Sequence, residues 1–207
     1  MKRVIRLTTL FVAVVAISVS CSTKPEKTIE NLKAAITGET NASATYQAFS
    51  SQAAEEGYPN ISRMFAAAAA AEAIHVKNHN AVLVKLGEEP FNPTAETPNV
   101  GITAANMQAA IEGESYEFTV MYPGFITTAN LEKCNDAITS FTWASEAEAV
   151  HAKLYAEALH LLNANGNDEA VSPVWYICPK CGDLFNTIEG MESCPFCGTK
   201  PTSFMKF

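Results

Sequence analysis

Between Glu26 and Glu56 apolar residues recur at Ile29, Leu32, Ile36, Ala44 and Phe49, close to the 3.6-residue period of a helix that buries one face. The short turn Gly57-Tyr58-Pro59-Asn60 then brings a second helix, about Ile61 to Leu86, back antiparallel beside the first. Gly87 is placed to stop it. Pro90, Pro93 and Pro98 keep the stretch Glu88–Gly101 from being helical throughout, so it reads as a crossover. A third helix is expected from about Ala104 to Glu132, bent at Pro123, and a fourth from about Asp136 to Asn163. The pattern predicts an all-α four-helix bundle over 22–166, a linker at 167–173 and a cysteine-rich tail at 174–207.

The first residues follow another rule. Lys2, Arg3 and Arg6 precede the uncharged run Leu7–Ser20, which is short for a membrane span of ~20 residues and reads as an export signal over 1–21. Ser18-Val19-Ser20 meeting Cys21 resembles a bacterial lipoprotein signal, which predicts lipidation of Cys21 and an exported, membrane-anchored protein on the periplasmic or cell-surface side. An ordinary cleaved signal with an incidental cysteine fits the same residues. The 207-residue chain carries a net charge of −8, and removal of the three basic leader residues leaves −11. An acidic chain of this kind is no binder of nucleic-acid phosphates.

The chain repeats itself. Ala34-Ala35-Ile36-Thr37-Gly38-Glu39-Thr40 recurs 75 positions on as Ala109-Ala110-Ile111-Glu112-Gly113-Glu114-Ser115. Ala71-Glu72-Ala73-Ile74-His75 recurs 76 positions on as Ala147-Glu148-Ala149-Val150-His151. Two helix pairs sharing one pattern imply a bundle with a pseudo-two-fold axis.

Glu and His three apart on a helix share a face, so Glu72/His75 and Glu148/His151 can each reach one point. Alanines around both pairs let helix axes approach. Glu39 and Glu114 each follow a glycine inside a helix, where Gly costs roughly 1 kcal/mol relative to Ala and invites a packing or ligand reason. Four buried carboxylates are stable only when paired or metal-bound, and two divalent cations balance the charges of Glu39, Glu72, Glu114 and Glu148. One Glu from each of two helices plus Glu-x-x-His from each of the others is the known donor pattern of di-iron and di-manganese carboxylate bundles. Iron or manganese suits these ligands, and zinc is chemically compatible.

Glu117, three after Glu114, lies on the same face and is a candidate ligand for the oxidised metals, whose two extra positive charges a fifth carboxylate and a hydroxide would balance. His79 neighbours Lys77, Asn78 and Asn80 and is expected to face solvent; His160 reads as a residue of a C-terminal turn. Tyr46 and Tyr122 can hydrogen-bond ligand carboxylates or pack in the core. Cys134 reads as a free small side chain between the third and fourth helices.

In the tail, Cys178-Pro-Lys-Cys181-Gly and Cys194-Pro-Phe-Cys197-Gly form two Cys-x-x-Cys-Gly knuckles, which converge four thiolates into a tetrahedron for zinc or a single iron. Two disulfides and a zinc ribbon remain alternatives at this spacing. Trp175, Tyr176, Phe185, Phe196 and Phe204 supply the packing of so small a module, and their density fits a rubredoxin-type iron site.

A duplicated di-metal bundle followed by such a tail resembles rubrerythrin over about residues 27–207. Gly38-Glu39-Thr40, Glu72-Ala-Ile-His75, Gly113-Glu114-Ser-Tyr-Glu117, Met121-Tyr122-Pro123, Glu148-Ala-Val-His151 and the cysteine knuckles carry the resemblance. It implies a ferritin-like bundle with a rubredoxin-like domain, holding a di-iron centre and one Fe(Cys)4 iron, that reduces hydrogen peroxide to water with electrons from a separate donor. Glu72 and Glu148 would bridge the irons and Glu39 and Glu114 would be terminal ligands. His151 would hold the second iron, while the first would exchange His75 for Glu117 with redox state. The resemblance further implies a head-to-tail homodimer or higher oligomer, with the Fe(Cys)4 site of one subunit near the di-iron site of another. The leader, and the turn Glu132-Lys133-Cys134-Asn135 in place of a glycine-containing one, depart from the family pattern.

Overall fold

The computed structural model describes residues 24–207. Helix α1 (Glu26–Glu55) packs along α2 (Pro59–Lys85), and a third rod packs along α5 (Asn135–Asn165). The third rod has three pieces: α3 (Thr103–Tyr116), a π-helical turn (Glu117–Met121) and α4 (Tyr122–Leu131). The expected bend at Pro123 is in fact this turn. The Tyr122 N–H reaches back five residues to the Glu117 carbonyl, and Pro123, which has no N–H to give, sits in the first turn of α4. The expected leader with Cys21 lies outside the described residues, and none of the described helices is long and apolar enough to cross a membrane.

Three helix N-termini begin on Pro25, Tyr58 and Ile102, side chains that cannot cap them. Carboxylates distant in sequence do so instead. Glu132 accepts from the Thr28 N–H at 2.7 Å, Asp168 from those of Asn60 at 2.5 Å and Ile61 at 3.0 Å, and Glu56 from that of Thr103 at 3.1 Å. Each satisfies N–H groups that the helix leaves over and places negative charge at the positive end of its dipole. The crossover is pinned in the same manner: Asn80 brackets both backbone groups of Phe91, and Glu88 pairs with Lys24 and Lys33.

Two apolar clusters fill the bundle, one around Phe49, Phe65 and Tyr155, the other around Leu32, Tyr122 and Phe141, and a polar layer lies between them. The tail forms a three-stranded antiparallel sheet from β1 (Tyr176–Ile177), β2 (Leu184–Phe185) and β3 (Met205–Lys206), with β1 central and Tyr176 facing Phe185 and Lys206. Phe185 and Phe204 stack beside the cysteines at 5.3 Å, whereas Trp175 joins the bundle core. The fold is thus a four-helix bundle carrying a small cysteine-bearing strand-and-loop module.

Candidate metal centres

Glu39 projects from α1, Glu72 and His75 from α2, Glu114 from α3, and Glu148 and His151 from α5; all six are at most 2% exposed. Small residues make this possible. Ala67, Ala68, Ala69 and Ala71 on α2 and Ala144 and Ala147 on α5 are buried around the pairs and leave the acids uncovered by bulk.

The side chains meet as two overlapping groups, Glu39/Glu72/His75/Glu148 and Glu72/Glu114/Glu148/His151, with the ligand atoms of each within 4.8 Å of one another. Glu72 sets Oε2 2.9 Å from His75 Nδ1 and Oε1 3.3 Å from His151 Nδ1. Glu148 sets Oε1 2.9 Å from His75 Nδ1 and Oε2 2.9 Å from His151 Nδ1. Each shared carboxylate therefore spans both poles. Glu39 belongs to the His75 pole and Glu114 to the His151 pole, at 3.9 and 3.8 Å from the respective nitrogens.

Without cations such a cluster must hold protons. Burial pushes His75 down, but Glu148 and Glu72 overcome this and raise it to about 10. Burial, then Glu148 and Glu72, raise Glu114 to about 8; burial and Glu117 carry Glu39 well above the carboxylate range. Glu72 goes the other way: burial opposes its charge, yet His151 and His75 hold it down to about 2. Glu39 Oε2, Glu72 Oε1, both Glu148 oxygens and His151 Nδ1 make no hydrogen bond although they are buried. Orphaned anionic oxygens and imidazole nitrogens converging on two points fit two divalent ions.

Two tyrosines brace the terminal acids. Tyr46 donates to Glu114 Oε1 at 2.6 Å and Tyr122 donates to Glu39 Oε1, so each phenol crosses to the opposite helix pair. His79, expected at the surface, is fully buried between Tyr122 and Ser140. Its position one turn beyond His75 was the available signal. Glu117 stands outside both four-residue groups, half-buried, with Oε1 3.6 Å from where a Cβ on residue 38 would lie. Gly38 thus leaves room for it, whereas a Cβ at Gly113 would enter open space. That space is an opening of about 200 Å³ lined by Asn41, Thr45, Gly113, Glu114 and Glu117 among others. His160 is exposed near the end of α5, and Cys134 is free and buried in its turn.

In the tail, Cys178, Cys181, Cys194 and Cys197 bring their sulfurs within 4.8 Å of one another as free thiols. The pairs 178/197 and 181/194 lie 3.3 and 3.5 Å apart, too far for disulfides and near the ~3.8 Å edge of a tetrahedron with metal–sulfur bonds of about 2.3 Å. Hydrogen bonding from Cys181 lowers Cys178 to about 4, so this one sulfur has thiolate character before any ion binds, while Cys181 itself is pushed up by sharing its proton with Cys178. Asp183, which the sequence did not single out, is buried beside it with Oδ2 3.9 Å from Cys194 Sγ, and burial lifts it to about 7.

The two centres touch. The tail packs on α2 and α5 of its own chain; Asn78 donates to the Lys180 carbonyl at 2.8 Å, and His75 Nε2 lies 3.0 Å from the Cys181 carbonyl oxygen. Donation from Nε2–H to that carbonyl keeps the proton on Nε2, so that once His75 gives up its second proton to a metal ion Nδ1 is the lone-pair nitrogen facing the carboxylates.

The family model described as Rubrerythrin matches residues 30–159. Nigerythrin of Nitratidesulfovibrio vulgaris is 38% identical over 180 residues, 87% of this chain and 86% of that protein. Rubrerythrin-2 of Clostridium acetobutylicum is 38% identical over 190 residues, 90% of this chain and all of that protein. Among solved structures, fully reduced, all-ferrous nigerythrin superposes with a TM-score of 0.76 at 36% identity, covering 100% of both chains.

These comparisons correct one expectation. A signal peptide, a lipidated Cys21, a membrane anchor and an exported location all rested on residues 1–21. The relatives match bundle and tail, one of them along its whole length, and lend none of those features support; nor can any described helix span a membrane. The chain is accordingly not assigned to the periplasm, the cell surface or a lipid anchor. Its donor sets are those of a di-iron centre and of one iron held by four cysteines. Helical duplication, paired Glu-x-x-His motifs and matches along nearly the whole chain lead to one conclusion: this protein belongs to the rubrerythrin family.

Proposed function

We propose that the protein is a non-haem di-iron peroxidase that reduces hydrogen peroxide to water and protects against oxidative stress, with electrons entering through the four-cysteine iron. The observation that carries this reading is the double engagement of His75, whose Nδ1 faces the carboxylates while Nε2 holds the Cys181 carbonyl. A bundle built only to oxidise or store iron has no use for such an inlet. In this reading residues 22–166 form the reaction chamber, 167–173 the linker and 174–207 the electron inlet. Cys178, Cys181, Cys194 and Cys197 hold the inlet iron.

Glu72 and Glu148 would bridge the di-iron pair, Glu39 and His75 would complete one position, and Glu114 and His151 the other. When bound, the pair supplies the two electrons that, with two protons, convert one peroxide to two waters. The chain's own residues admit the substrate and hold protons for it. Peroxide, a molecule of two heavy atoms, fits the opening beside Gly113. Glu117 lines that opening, where burial together with Glu114 lifts its carboxyl well above the usual range in the metal-free protein and makes it the acid placed to pass a proton at the entrance. From its place over Gly38 it can also swing towards the Glu39 end, where it would trade places with His75. A homodimer and an external electron donor complete the reading.

Stopped-flow mixing of the anaerobically reduced, iron-loaded protein with peroxide and with dioxygen tests it. Rapid oxidation by peroxide, with bleachable rubredoxin-like absorption and three irons per chain, is expected. Fast oxidation by dioxygen with a sluggish peroxide response would establish an iron-oxidising protein instead.

A further inference from the structure

The duplication makes each half of the bundle a control for the other. The offset of 76 that relates Glu72 to Glu148 and His75 to His151 also pairs Phe65 with Phe141 and Ala68 with Ala144, all buried. It pairs Tyr46 with Tyr122, the two braces. At two buried positions the halves differ in chemistry: the offset sets His79 against Tyr155 and Ser140 against Met64.

The difference has a direction. Tyr122 spends its single proton on Glu39 Oε1, so the contact of 3.1 Å between His79 Nε2 and the Tyr122 oxygen must be a donation from the imidazole. That leaves His79 Nδ1 as an acceptor, and Ser140 Oγ, 2.8 Å away, donates to it. Every proton along Ser140, His79 and Tyr122 therefore points towards Glu39. Burial, with His75 adding to it, holds His79 down to about 3, in keeping with a neutral ring. In the other half no such line forms: Tyr155 stands beside Tyr46, but its hydroxyl is left without a hydrogen bond, and Met64 places a thioether where Ser140 places a hydroxyl.

We propose that His79 is a positioning residue for one pole of the di-metal site. The line it completes commits Glu39 Oε1 to a hydrogen bond, leaves the unpartnered Oε2 for the ion, and makes the Glu39/His75 position depend on His79 while the Glu114/His151 position does not. The pole so framed is the one on which the tail docks through His75, where a fixed carboxylate keeps the site in place beneath the docked knuckle. The inference rests on the di-metal reading of the bundle and not on the identity of the oxidant.

Cobalt(II) titration of the metal-free full-length chain tests it. Thiolate-bound cobalt absorbs by charge transfer, so uptake at the four cysteines is read apart from uptake in the bundle. Wild type is expected to bind two bundle ions tightly. In His79→Leu one should bind as before and the other about 10–100-fold more weakly, the usual effect of losing an outer hydrogen-bond partner. His79→Gln, which keeps an N–H donor, should recover most of the loss, and Tyr155→Phe should change neither ion. Equal weakening of both ions by His79→Leu, or no weakening, would overturn the inference. Fewer than two bundle ions in wild type would overturn the di-metal reading itself. Far-UV circular dichroism checks folding, and if His79→Leu does not fold, Ser140→Ala and Tyr122→Phe carry the same expectation of one weakened ion.

Discussion

His75 Nε2 and the Cys181 carbonyl oxygen lie 3.0 Å apart, and the residue after that carbonyl, Gly182, has no room for a side chain. A Cβ there would meet His75 Nε2 at 2.3 Å and the Ala71 carbonyl at 3.2 Å, and its φ of +86° is in the left-handed region. Gly182→Ala should therefore cost more than the ~1–3 kcal/mol of left-handed strain alone and lift the knuckle from the bundle. Gly190→Ala, with φ +73° and open space around it, isolates the strain component. Urea denaturation of both variants, with the rate at which the tail re-reduces the bundle centre, checks this: Gly182→Ala should lose more stability and slow re-reduction, and Gly190→Ala should lose only the strain.

The tail rests on its own bundle, so electrons should pass within one chain. A variant lacking the inlet, Cys194→Ser, mixed with one lacking a shared carboxylate, Glu148→Ala, should recover no peroxide turnover above the sum of the two alone. Recovery towards a quarter of wild-type turnover after subunit exchange of an equal mixture, in which half the dimers are mixed and each has one working site of two, would show that the tail serves a partner's bundle, as the family resemblance implied.

Much of this was legible beforehand, and what was hidden has a common cause. Helical period and the breakers Gly57, Gly87 and Pro90 placed the four rods to within a residue or two, because those signals are local. The ligand set was legible because duplication shows it twice. The π-helical turn surfaced in the sequence only as a spacing of 75 between Glu39 and Glu114 that became 76 between Tyr46 and Tyr122, one residue more. His79 was misread because Asn78 and Asn80 beside it are polar for the sake of backbone partners, the Lys180 carbonyl and Phe91, and not for water. Asp183 is buried beside sulfurs that only the folded knuckles gather, and the caps by Glu132 and Asp168 span more than 100 positions. Nothing local announces such contacts.

Those caps make a stability prediction. Asp168 is buried and holds two N–H groups at the start of α2 through one oxygen, at 2.5 and 3.0 Å. Asp168→Ala should cost about 1–3 kcal/mol, combining a lost cap with N–H groups left dry. Glu132→Ala removes the equivalent cap of α1 from a half-buried site and should cost less, about 0.5–1 kcal/mol. Urea midpoints of the two variants, read at constant slope, check the order; an equal or reversed pair of losses would refute the argument from burial.

Protons and metal compete for the same atoms in the bundle, and the sign of the competition follows from the shifts. In the metal-free protein His75 is raised from its ordinary value to about 10 and Glu114 to about 8, so the folded state binds more protons than the unfolded one. Stability contributed by His75 is complete below pH ~6.5 and lost as pH climbs through about 10; that tied to the Glu114 proton is complete below pH ~4.5 and lost by about 8. The metal-free chain should thus melt at progressively lower temperature from pH 6 to pH 9. Metal binding must expel both protons, so below pH 8 its affinity should rise with at least two protons released per pair of ions, about a hundredfold per pH unit. Differential scanning calorimetry of the metal-free form and proton release on cobalt addition in weak buffer measure the two halves of the prediction. A melting temperature rising with pH, or metal uptake without acidification, would mean that the carboxylates and imidazoles do not share their protons in the arrangement described.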